Sequence, residues 1–142
     1  MEMSPSKQEM TFNRAYAAEL LRIAEGDYST ALALQKANDI RIENAFYMAQ
    51  QAIEKALKSV LVALGLPVPM VNDLGILIAR IPAAHEPPFG YELSELNQYA
   101  AIRRYEEGQW TPKVEDFSSV LSKTRLMLDW ARSVQVSQNL AP

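Results

Sequence analysis

The stretch AFYMAQQAIEKALKSVLVALG, residues 45–65, constrains the fold more than any other part of the chain. Ala45, Ala49, Ala52, Ile53, Ala56, Leu57, Val60, Leu61 and Leu64 recur at the three- and four-residue steps of a helix with one buried stripe. Gln50, Gln51, Glu54, Lys55 and Lys58 fall on the other side, and Glu54 precedes Lys58 by four residues, the favourable order for a helix ion pair. Gly65 offers a C-terminal cap, and Pro67 cannot continue the helix. Small alanines alternate with leucine and valine along the stripe, so other helices can approach closely. This is the expected central helix, with the remaining elements packed around it.

A chain of 142 residues suits one domain with a real core. That domain is expected to span residues 1–142, with flexible ends at 1–9 and 137–142. The net charge of −3 argues against a general nucleic-acid coat, so any RNA contact must come from a local basic patch. Without cysteine there is no disulfide and no thiolate metal site, and one histidine, His85, cannot build a His-rich zinc centre. Neither a metal nor a cofactor is expected. No apolar run reaches the ~18 residues of a membrane span, and MEMSPSKQEM lacks the apolar core of a signal peptide. A cytoplasmic protein, away from membranes, is the expectation.

The spacing predicts a first helix over about residues 10–37, with a stripe of Ala17, Leu20, Ala24, Asp27, Ala31 and Leu34. One member of that stripe is a carboxylate, which either sits solvated at the stripe's edge or takes a partner. Asn38 and Asp39 form a polar break able to cap the central helix. Residues 66–71 read as a loop, and Asn72 as the cap of a short helix over 73–81 that Pro82 ends. The proline-rich run 82–90 is another loop. A fourth helix is expected over about 92–107, carrying Leu93, Leu96 and Ala100, with Gly108 ending it. Thr111 and Pro112 then start a fifth, with a stripe of Val114, Phe117, Leu121, Thr124, Leu128 and Ala131. No strand-like alternation of useful length appears. The expected class is all-α: an up-and-down four-helix bundle with an additional short helix.

Catalytic signatures are mostly absent. The chain has no glycine-rich phosphate loop, no Glu-x-x-His step, and no histidine for a Ser-His-Asp arrangement except His85 in its loop. The segment with the most chemistry is YAAIRRYEE, residues 99–107. Arg103 and Arg104 beside Tyr105 suit bidentate contact with a phosphate or carboxylate, and tyrosine rings stack on bases. An internal pair of one arginine with Asp27 is the competing reading; the two are compatible if the acid orients one arginine while the other meets a ligand. Gln50, Gln51 and Glu54 invite a ligand-contact reading. An ordinary solvated face is the preferred alternative, and an interface between two copies is a third.

The central stretch resembles the core helix of HEPN domains, a family of small helical domains named for nucleotide binding in higher eukaryotes and prokaryotes. The helix with Ala24 and Asp27, the NDLGILI segment and the late IRRYEE segment fall in the family's order, over roughly residues 15–131. The resemblance implies an up-and-down bundle, a homodimer, and a minimal nucleotidyltransferase as partner, as in toxin–antitoxin pairs. Family members that are toxins cut RNA with an arginine followed four to six residues later by a histidine. Arg103 and Arg104 match the arginine end. Glu107, Gly108, Gln109 and Trp110 occupy the positions where the histidine should fall, Asn72 stands where many relatives have a histidine, and His85 lies in another segment. The proton-transfer group is therefore missing, and no catalytic residue is assigned. The expected function is a non-catalytic binding module for a nucleotide, RNA or a partner protein, with Arg103, Arg104, Tyr105, Asp27, Gln50 and Glu54 as candidate ligand contacts. The alternatives are a divergent metal-independent ribonuclease working through Arg103 or Arg104 with Glu107 or Tyr105, and a purely structural assembly partner.

Overall fold

The computed structural model of the protein describes residues 9–97 and 113–140. Within them the chain forms a two-residue strand β1 (Glu9–Met10), helix α1 (Tyr16–Lys36), helix α2 (Ile42–Ala63), strand β2 (Val68–Pro69), the short helix α3 (Leu74–Arg80), two 3₁₀ segments (Ala83–His85 and Gly90–Leu96) and helix α4 (Val114–Ser137). Three long helices pack against one another, and α2 touches α3 and β2 as well. The all-α expectation holds, and α2 is the centre of the bundle.

The alanine-rich stripes are what let the helices close on one another. Ala24 and Ala31 of α1, Ala49, Ala52 and Ala56 of α2 and Ala131 of α4 are all fully buried. Between them lie Phe46 and Phe117, rings 4.9 Å apart and tilted by 55°, which lock α2 to α4. The end of α2 follows the glycine expected there. Gly65 takes a φ of 73°, its N–H reaches the Val62 carbonyl at 3.0 Å, and the Leu66 N–H reaches Leu61 at 2.9 Å. That is the paired closure of a helix by a left-handed residue. Asn139 does the same for α4, with φ 60° and with the Leu140 N–H on the Gln135 carbonyl.

Several boundaries differ from the sequence reading, each for a local reason. Helix α1 starts at Tyr16 rather than near Met10, because Glu9 and Met10 pair antiparallel with Pro69 and Val68. The Asn13 side chain then accepts from the Ala15 N–H at 2.9 Å, turning the chain into the helix. Helix α2 starts three residues early, after Arg41, with no side-chain cap from Asn38 or Asp39; Asp39 instead takes the bend, at φ 59°. Asp73, not Asn72, caps α3, accepting from the Gly75 and Ile76 N–H groups at 2.8 and 3.3 Å. The proline-rich loop holds a 3₁₀ turn. The expected fourth helix opens as 3₁₀ over Gly90–Leu96 rather than as α-helix. Three residues per turn put Leu93 and Leu96 on one side, and both are buried. The remainder of that expected helix lies outside the described residues.

Candidate functional site

Along α2, residues 50, 54 and 58 follow one another at four-residue steps and form a polar row on the central helix. The row is not the solvated face that its composition suggests. Gln50 is 0% and Glu54 5% exposed, because α2 is covered on more sides than its apolar stripe requires. The N-terminal segment and β2 close over the polar side: Met10, Phe12, Tyr16, Leu20, Val68 and Met70 face Glu54, Lys55 and Lys58 across a cavity of about 310 Å³.

Polar atoms brought inside this way need partners. Gln50 Oε1 accepts from the Gln51 side-chain amide at 3.0 Å. Lys58 Nζ reaches Glu54 Oε2 at 3.3 Å, realising the four-residue pair of the sequence in a buried setting. Lys55 Nζ crosses to α1 and meets Asp27 Oδ2 at 2.5 Å. The stripe carboxylate thus takes a lysine of α2 as partner, which decides between the solvated and the paired reading of Asp27. Gln50 Nε2 and Glu54 Oε1 are buried with no hydrogen-bond partner. Four charged groups, Asp27, Glu54, Lys55 and Lys58, therefore line the α1–α2 seam with no net charge.

A second polar seam joins α1 to α4. Arg125 donates from both terminal nitrogens to the Glu25 carboxylate at 2.9 and 2.8 Å and lies over the Tyr28 ring at 5.1 Å. Those hydrogen bonds, with the nearby charges of Arg125 and Arg132, hold the Glu25 carboxyl below its usual range against the opposing effect of burial. Arg125 in turn is raised above its ordinary value, chiefly by the same bonds. A groove of about 530 Å³ opens beside this pair, between Tyr28, Leu32, Leu121 and Leu126.

A family model, HEPN domain, matches residues 17–134. The chain belongs to the HEPN family. No curated protein matches it, and no solved structure does. The polar row on α2 and both α1 seams lie within the matched residues. Of the candidate ligand contacts, Asp27 and Glu54 fall in the same α1–α2 seam, and Gln50 lies one turn before Glu54. Arg103, Arg104 and Tyr105 lie outside the described residues, as does Glu107. Among the described residues, no three His, Cys, Asp or Glu side chains are grouped to hold a metal ion, and no helix is long and apolar enough to cross a membrane.

Phe12, Tyr16, Lys55 and Lys58 were not singled out by the sequence as site residues. Their signal was faint: Met10, Phe12, Tyr16 and Leu20 are apolar at even spacings ahead of and into α1, which reads as a helix stripe and not as one wall of a cavity.

Proposed function

We propose that this HEPN domain is a non-catalytic binding module that works as a homodimer, takes a nucleotide, an RNA phosphate or a partner protein at the segment around Arg103 and Arg104, and pairs with a nucleotidyltransferase in the manner of a toxin–antitoxin couple. The observation that carries the reading is the segment Arg103-Arg104-Tyr105 followed by Glu107, Gly108, Gln109 and Trp110. It keeps an anion-binding pair and an aromatic ring and has no imidazole at the spacing where HEPN ribonucleases need one. The pairing of Asp27 with Lys55 supports it, since the acid has a cation from α2 and the case for an internal arginine partner is weaker.

The test is a titration of the purified protein with a ribonucleoside triphosphate and with a short RNA, in parallel with Arg104→Ala. Arg104→Ala is expected to lower affinity about tenfold or more, the worth of a charged hydrogen bond, with an unchanged melting temperature. Equal losses of binding and stability would mark the arginine as a structural pair. Incubation with RNA in EDTA separates the ribonuclease alternative: cleavage that disappears in Arg103→Ala or Arg104→Ala would establish an enzyme.

A further inference from the structure

The cavity between α1, α2 and the β1–β2 pairing has a built polarity. Its mouth is apolar and open: Met10, Tyr16 and Met70 are 49%, 38% and 45% exposed. Phe12 and Tyr16 stack there, ring centroids 5.4 Å apart and nearly parallel. The opposite wall is charged and largely buried. Glu54 lies in it with one carboxylate oxygen on Lys58 and the other without a partner, and Lys55 and Lys58 supply two ammonium groups. A buried carboxylate with a single long ion pair lacks a donor, and the terminal torsion of a glutamate is soft enough to turn its free oxygen to one. Each ammonium group has three protons and uses one in the ion pairs described, on Asp27 or on Glu54. The wall therefore has one acceptor and several donors to offer a ligand, balanced in charge once Asp27, which pairs with Lys55 from outside the lining, is counted, beside an apolar chamber of about 310 Å³, at the lower end of small-molecule site volumes.

We propose that this cavity binds a free apolar α-amino acid as its zwitterion. The ligand ammonium donates to Glu54, the carboxylate accepts from Lys58 and Lys55, and the side chain fills the chamber between Phe12, Leu20 and Val68. A net-neutral wall carrying both signs favours a ligand that is net neutral and carries both signs. An apolar acid leaves Glu54 unsatisfied, and an apolar amine meets two lysines. The proposal uses no residue of the arginine segment, so either reading can fail without the other.

Calorimetric titration of the full chain with L-phenylalanine, L-leucine, 3-phenylpropionate and phenethylamine tests it. Phenylalanine and leucine are expected to bind, and loss of either charged group from phenylalanine to weaken binding about tenfold or more. Glu54→Gln is expected to weaken phenylalanine by a similar factor and not to weaken 3-phenylpropionate. Met70→Trp, at the open mouth, is expected to block phenylalanine and leave the melting temperature as it was. The inference is overturned if neither amino acid binds, if 3-phenylpropionate or phenethylamine binds as tightly as phenylalanine, or if Met70→Trp has no effect on binding.

Discussion

Arg125 of α4 holds Glu25 of α1 through two nearly equal N–H···O bonds, joining residues a hundred positions apart. This is the fork geometry that guanidinium and carboxylate make best. Both side chains are about a third exposed, so solvent screens part of the attraction. Glu25→Gln is expected to cost about 1 kcal/mol near neutral pH. The sign of its pH dependence follows from the lowered carboxyl. A group whose folded value lies below its unfolded one stabilises fully above the ordinary value of 4.5 and loses that contribution as pH falls through the folded value. Urea midpoints of the two proteins should therefore differ above about pH 5 and converge at lower pH. A gap that stays constant down to pH 2 would contradict the pairing.

Gln135 crosses the other end of the same seam, its amide on the Ala17 carbonyl at 3.0 Å, while its own Oε1 is buried without a partner. One hydrogen bond gained is set against one acceptor left bare. Gln135→Met, which removes both, is expected to change stability by less than about 1 kcal/mol, while Gln135→Ala, which also opens a hole, should cost ~2–3 kcal/mol. Chemical denaturation of the two variants checks the difference.

Two glycines should respond oppositely to alanine. Gly26 sits within α1 and a Cβ there meets nothing within 4 Å, so Gly26→Ala should stabilise by ~0.5–1 kcal/mol through helix propensity. Gly65 has space as well, but its φ of 73° is left-handed, and Gly65→Ala should cost about 1 kcal/mol. Melting temperatures moving the same way in both variants would refute this.

Helix-length apolar periodicity made α2, its glycine cap and the Pro82 stop legible in the sequence, because each is decided by residues within one or two turns. The buried polar row was not. Gln50, Glu54 and Lys58 have the spacing and composition of a solvated face, and for Glu54 and Lys58 it is the tertiary cover supplied by Met10, Phe12, Tyr16 and Met70 that takes them out of water. That cover depends on Glu9 and Met10 pairing with Val68 and Pro69, a contact between segments nearly sixty residues apart that local patterns do not encode. For the same reason Asp27 stood out as an anomaly, while its lysine partner, on another helix, did not.

The Asp27–Lys55 pair separates structural from ligand-binding duty on the α1–α2 seam. Both side chains are mostly buried, 15% and 25% exposed, and removing one leaves the other half-covered and unpaired. Asp27→Ala is therefore expected to cost ~2–3 kcal/mol, and the double variant Asp27→Ala with Lys55→Met to recover at least half of that, since an apolar stem in place of the ammonium leaves no bare charge. If Asp27 acts only by holding Lys55, nucleotide and RNA affinity will be the same in the double variant as in the parent protein, measured well below both melting temperatures. A loss of affinity that stability recovery does not restore would instead put Asp27 among the groups that orient Arg103 or Arg104 toward a bound anion.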